Sequence, residues 1–323
     1  MTRLRPKIIL AALAFAVATV PAHGRPALSV DVETGSVIAA HEADRPWHPA
    51  SVTKLMTAAL ALEAMRAGLV TATTPVVFSE KASATPPSKL GVPPGNTLPL
   101  AEALRIMLTR SMNDVAVAVA ETLAGSERRF AEIMNLKAAA IGMRGTRFTN
   151  ASGLHDPAQV STASDLALLA RHLLVELPES AELLGLPKVT YGGRTFSNTN
   201  GLIGHYDGAS GMKTGYVCAS GFNLVGLAER KGRRVITVVL GAPSAATRER
   251  ETARLLDDAF SRPAIGPRLA SMSPAPGTAP DLRKSSCGRS LGEAFAFAAP
   301  TSLPVPAPRP EREWVIAGGL EDY

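Results

Sequence analysis

The sequence is poor in the residues that build metal centres and cross-linked scaffolds. It holds two cysteines in 323 residues, Cys218 and Cys287, and neither belongs to a CxxC pair. That excludes a disulfide-dense framework and the paired zinc spacings. The six histidines are scattered and no HExxH occurs, so we expect neither a metal nor another cofactor. Long apolar runs are lacking as well: the one of note, residues 8–20, lies at the extreme N-terminus, which excludes a polytopic membrane protein. With 46% hydrophobic and 19% charged residues, the chain is not disordered throughout. Its length allows two domains at most and a sizeable core.

The formal charge of +6 invites a nucleic-acid or anionic-surface reading, but the N-terminus removes half of it. Arg3, Arg5 and Lys7 precede the apolar run, and Val20-Pro21-Ala22 offers small residues at the two positions a signal peptidase reads. Residues 1–22 are therefore expected to be a secretory signal peptide, its apolar middle too short for a membrane anchor. Without them 31 cations face 28 anions, a formal +3, and no nucleic-acid partner is expected. Export, to the periplasm or cell envelope, places Cys218 and Cys287 where a disulfide persists. Whether they pair is left open by the residues.

The remainder divides into a body and a tail. Residues 27–32 and 36–40 read as a hairpin around Glu33-Thr34-Gly35. Helices are expected over 51–67, 100–109, 114–124, 129–141 and 163–174, and strands over 208–216, 222–229 and 234–240, with a closing helix over 245–260. Strands at both ends with helices between them give an α+β fold, its sheet assembled from distant parts of the chain. Residues 263–323 hold ten of the 25 prolines and are expected to be a Pro/Ala-rich, largely disordered tail. The catalytic body is thus expected over 23–262.

Three short motifs carry chemistry. Ser51-Val52-Thr53-Lys54 opens a helical segment, so the Lys54 amine is one turn from the Ser51 hydroxyl. Serine becomes a good nucleophile only when a base takes its proton, and lysine is that base only where burial or nearby cations depress its pKa. Ser111-Met112-Asn113 falls in a turn between two helices, where a hydroxyl and an amide project together into a cleft, or simply cap the second helix. Lys213-Thr214-Gly215 lies on a strand. A glycine there permits close backbone approach, and the cation suits a carboxylate.

Each motif alone is weak, but their order and placement resemble the SxxK, SxN and KTG signature of the serine penicillin-recognising enzymes. The segments Pro49–Thr57, Phe148–Leu154, Ser161–Ala167 and Asn198–Leu202 resemble the D-alanyl-D-alanine carboxypeptidases, the low-molecular-mass penicillin-binding proteins. The resemblance covers about residues 25–262. It implies a β-lactamase/penicillin-binding transpeptidase-like fold, an antiparallel sheet flanked by helices with a mostly helical subdomain. It also implies a serine D,D-carboxypeptidase that removes the terminal D-alanine of a peptidoglycan stem peptide and is acylated by β-lactams. Ser51 would be the nucleophile and Lys54 the base. Ser111 would relay the proton, Asn113 would position Lys54 and the substrate amide, and the Ser51 and Tyr216 N–H groups would form the oxyanion hole. Lys213 and Thr214, beside Gly215, would hold the terminal carboxylate with an arginine, Arg248 in preference to Arg250.

The chain departs from the family's pattern in three places. Val217-Cys218 follows Tyr216 where a threonine is frequent, and a bridge to Cys287 would tie the tail across the body. No all-β domain follows the body, and residues 311–323 show no apolar face for membrane attachment. Three other readings use the same motifs. A D,D-endopeptidase cutting cross-links shares the whole apparatus. A class A β-lactamase needs an ExxLN carboxylate, for which Glu132-Ile133-Met134-Asn135 is a poor substitute. A non-catalytic peptidoglycan-binding protein would have lost Ser51 or Lys54. His155-Asp156 and His205-Tyr206-Asp207 read as structural loop residues, and Arg230–Arg234 as a solvated hairpin turn.

Overall fold

A computed structural model describes residues 25–288. In chain order its elements are β1 (Ala27–Asp31), β2 (Val37–His41), a 3-10 turn (Ala50–Thr53), α1 (Lys54–Arg66), β3 (Pro75–Val77), α2 (Glu80–Ala84), β4 (Thr97–Pro99), α3 (Leu100–Arg110), α4 (Asn113–Ala124) and α5 (Glu127–Ala140). There follow α6 (Ala163–Val175), α7 (Ser180–Leu184), β5 (Lys188–Tyr191), β6 (Arg194–Ser197), β7 (Ala209–Val217), β8 (Gly221–Arg230), β9 (Arg233–Ala242), α8 (Ala245–Ser261) and α9 (Arg283–Ser286). The expected signal peptide and residues 289–323 of the tail lie outside the described residues.

The main sheet has five antiparallel strands in the order β2-β1-β9-β8-β7. The N-terminal hairpin and the C-terminal meander meet where β1 pairs with β9, Leu28 opposite Val238 and Val30 opposite Ile236. The Ser29 and Thr237 hydroxyls satisfy each other at 2.9 Å inside that seam, so neither costs an unpaired polar group. β1 and most of β9 are buried on both faces, as befits strands at the centre of a sheet covered by helices on each side.

Helices cover both faces of the sheet. α8 packs through Leu256 and Ala259 against Leu224, Ala228 and Val235. On the other face lies the principal core, in which α1 is buried from Lys54 to Leu62. A helix enclosed on all sides has little amphipathic stripe; its apolar residues and its one buried cation are set by neighbours, chiefly α3, α4 and α6. Side-chain caps fix four helix starts: Ser79 accepts from Ala82 N, Ser126 from Arg129 N, Thr162 from Asp165 N and Ser244 from Thr247 N. No helix among the described residues is long and apolar enough to cross a membrane.

The tail differs from the sequence expectation over its first part. Residues 263–288 run along the body. Val37 N donates to Pro267 O and Leu269 N to Gly35 O, which covers the β2 edge of the sheet, and Leu269 is buried. Ala275 N then donates to Asp44 O and Leu282 N to Ala219 O. Cys287 forms a disulfide with Cys218, Cα to Cα 5.6 Å. These contacts are mostly main-chain, which is why composition did not announce them.

Candidate active site

The nucleophile turn is fixed from behind by the sheet. The Trp47 indole N–H donates to Ser220 O at 2.9 Å, and its backbone exchanges two hydrogen bonds with Ser161. The Asn223 amide on β8 donates to His48 O at 3.0 Å and Pro49 O at 3.2 Å while its carbonyl accepts from Gly241 N. The chain then turns sharply at Ala50, φ +49°, into the 3-10 turn that carries Ser51 and leads into α1. Two glycines leave room for that turn. A Cβ on Gly215 would stand 2.8 Å from Pro49 O and 3.1 Å from Ser51 N, and one on Gly153 would fall on the Ala50 carbonyl.

Lys54, the first residue of α1, is fully buried. Its Nζ lies 3.0 Å from Ser51 Oγ, 2.7 Å from Asn113 Oδ1, and within hydrogen-bond distance of the Ser152 carbonyl. Burial, and next the charge of Lys213, holds its pKa well below the ordinary lysine value, with Asp114 opposing. A lysine kept toward its neutral form beside a serine hydroxyl has the property a general base requires.

The second motif closes the site from the helical side. Ser111 ends α3 in the left-handed region, φ +66°, and Asn113 begins α4. The capping reading fails for Asn113, whose side chain faces Lys54 and donates to Pro86 O at 3.1 Å. Asn113 N donates to Ser88 O, and the buried Asp114 carboxylate accepts from Leu90 N and Gly91 N. The 86–91 loop is thereby clamped to the start of α4. Ser111 borders the cavity, but among the described residues no hydrogen bond joins it to Lys54 or Ser51.

The third motif is the buried stretch of β7, the edge strand. Thr214, Gly215 and Tyr216 border a cavity of about 460 Å³ that also takes in Ser51, Ser111 and Arg248. The Thr214 hydroxyl is 2.7 Å from that of Thr199. Lys213 is 1% exposed and stands behind the cavity wall, its Nζ donating to Thr214 O. Burial, then the neighbouring Arg248, brings its pKa to about 7. Arg248, near the start of α8, keeps 5% of its side chain exposed, and Glu249 accepts from it at 2.9 Å. Arg250 instead reaches the Thr247 hydroxyl on an exposed face. Tyr216, 40% exposed, stacks on Phe222 with centroids 4.2 Å apart.

The structure thus brings Ser51, Lys54, Ser111, Asn113, Lys213, Thr214, Gly215, Tyr216 and Arg248 together around one cavity. Sequence reasoning missed the Ser152 carbonyl, Thr199, Asp114 and the 86–91 loop. Asp114 adjoins the second motif and Thr199 falls within a segment already singled out, so position hinted at both. A backbone carbonyl gives no such sign.

The family model for D-alanyl-D-alanine carboxypeptidase matches residues 14–244. The chain is 34% identical over 241 residues to the D-alanyl-D-alanine carboxypeptidase DacF of Bacillus subtilis (strain 168), covering 73% of this chain and 62% of the relative. It spans about three fifths of the length of the curated relatives it matches. Among solved structures it resembles penicillin binding protein 5 from Haemophilus influenzae, with a TM-score of 0.70 and 31% identity over 74% of this chain and 71% of that one. It also resembles Penicillin-Binding Protein D2 from Listeria monocytogenes in its ampicillin-bound form, with a TM-score of 0.65 and 33% identity over 73% and 97%.

Proposed function

The chain belongs to the D-alanyl-D-alanine carboxypeptidase family, and we propose that it is a serine D,D-carboxypeptidase of peptidoglycan stem peptides. The observation that carries this reading is the buried Lys54 amine, 3.0 Å from Ser51 Oγ and held by Asn113. Neutral Lys54 takes the Ser51 proton as Oγ attacks the carbonyl carbon of the penultimate D-alanine. The oxyanion falls to the Ser51 and Tyr216 N–H groups. The proton passes by way of Ser111 to the departing amine, D-alanine leaves, and water hydrolyses the ester to restore Ser51. Thr214 and Arg248 meet the terminal carboxylate from the cavity wall, and Lys213 adds positive potential from behind it. Asn113 holds Lys54 and receives the substrate amide.

A β-lactam acylates the same serine and leaves slowly. Consistent with this, the described residues bordering the cavity include no Asp or Glu, and Glu132 pairs with Arg128 on the exposed side of α5. We assign residues 23–262 as the catalytic unit, 1–22 as a cleaved leader and the cell envelope as the place of action.

The test is mass spectrometry of the protein with benzylpenicillin. One adduct is expected, mapped to Ser51 and abolished by Ser51→Ala; its absence from Ser51 overturns the mechanism. Release of D-alanine from a pentapeptide, in preference to cleavage of a cross-linked dimer, separates carboxypeptidase from endopeptidase.

A further inference from the structure

Resting on the carboxypeptidase reading, we propose that residues 281–287, fastened by the Cys218–Cys287 disulfide, form the outer wall of a subsite for the part of the stem peptide that precedes its two D-alanines. The direction of the substrate follows from the cavity. Its carboxylate belongs at Thr214 and Arg248 and its scissile carbonyl at Ser51. An extended peptide added to the free edge of β7 therefore runs from Thr214 past Tyr216 and Val217, and its N-terminal part arrives at Cys218.

At that point the tail crosses. Leu282 N donates to Ala219 O at 3.0 Å, Cys287 is bonded to Cys218, and the Tyr216 hydroxyl donates to Cys287 Sγ at 3.1 Å. Tyr216 borders the cavity, so the segment braces a cleft residue as well as standing beside it. On the opposite wall, Gly153 and Leu154 border the cavity. The next residue, His155, is held toward its neutral form by burial, then by His48, then by Arg283 of the segment, with Asp281 opposing. The segment thus stands at the end of β7 and lies within electrostatic reach of the 153–156 loop. It presents an exposed ion pair, Arg283 with Asp281, which suits a peptide bearing ionised side-chain groups. A small acyl donor that ends at the D-alanines does not reach it.

The test compares the wild type with the Cys218→Ser/Cys287→Ser variant on three acyl donors: an N-acetylated D-alanyl-D-alanine dipeptide, the full pentapeptide and benzylpenicillin. The variant is expected to lose about tenfold in kcat/KM on the pentapeptide, mostly through KM, with the dipeptide and benzylpenicillin rates within about twofold. Equal loss on all three donors, no loss on the pentapeptide, or a gain overturns the subsite. If the variant does not fold, as judged by loss of the wild type's cooperative thermal unfolding transition, phosphine reduction and alkylation of the folded wild type makes the same cut. A wild type that releases D-alanine from neither peptide fells the carboxypeptidase reading itself, and the subsite with it.

Discussion

Asn113 Oδ1 accepts a 2.7 Å hydrogen bond from Lys54 Nζ and so ties the start of α4 to the start of α1, 59 positions apart in sequence. The same side chain donates to Pro86 O, so one amide orients the base and secures the loop above it. Asn113→Ala is expected to slow acylation by benzylpenicillin about 10²-fold through misplacement of the base, with the folded state retained. Stopped-flow acylation with a chromogenic β-lactam measures it; a rate within threefold of wild type contradicts the role.

The pH profile of acylation is expected to have two limbs. Burial and then Lys213 depress Lys54, so its acceptor amine is gained as pH rises through that lowered value. Burial and then Arg248 bring Lys213 to about 7, and its positive charge is lost as pH rises through that point. Acylation therefore climbs on the acid side and declines on the alkaline side. Arg248→Ala removes a neighbouring cation, which lets the Lys213 value rise. The alkaline limb is expected to move to higher pH while carboxylate binding weakens. An alkaline limb that stays in place or moves down counts against the assignment.

Gly215→Ala tests the clearance over the nucleophile turn. Its methyl would stand 2.8 Å from Pro49 O and 3.1 Å from Ser51 N, contacts the buried backbone relieves only by moving. A stability loss of about 1–3 kcal/mol is expected, with acylation reduced more than tenfold. Denaturant titration beside acylation kinetics checks both.

Asp114→Asn tests the loop clamp. The carboxylate accepts from Leu90 N and Gly91 N through different oxygens, and the amide retains only one acceptor. One buried N–H then faces an NH2 group, at a cost of about 1–3 kcal/mol. Chemical denaturation is expected to register that loss, and hydrogen exchange at Leu90 and Gly91 to accelerate; unchanged exchange there would rule out the clamp.

Much of this was legible in the sequence, for reasons that can be named. Long elements with strong patterns, such as α6 and the β7–β9 meander, declared themselves through period and turn residues. The small two-stranded β3–β4 and β5–β6 sheets did not, being built of strands three or four residues long, largely exposed and, for β3 and β4, bounded by Pro75 and Pro99. Strand alternation by itself puts Lys213 and Gly215 on one face and Thr214 on the other, yet Thr214 and Gly215 both border the cavity while Lys213 is buried and does not. Alternation sorts side chains by face, but a glycine exposes its backbone on either side. The disulfide was a possibility that two cysteines alone could not decide, because nothing in the sequence brings the tail back to Ala219.

The sheet behind the Ser51 turn joins the two ends of the body, and this bears on when the site forms. Asn223, which holds the Pro49 carbonyl, lies 174 positions downstream of it. A chain made from its N-terminus carries Ser51 and Lys54 long before the groups that align them exist, and contacts so distant in sequence form late. The nascent chain is thus expected to be inert toward peptides and β-lactams until its last strands close the sheet. A fragment ending at residue 200 is expected to take no benzylpenicillin, although it contains the nucleophile, the base and Asn113.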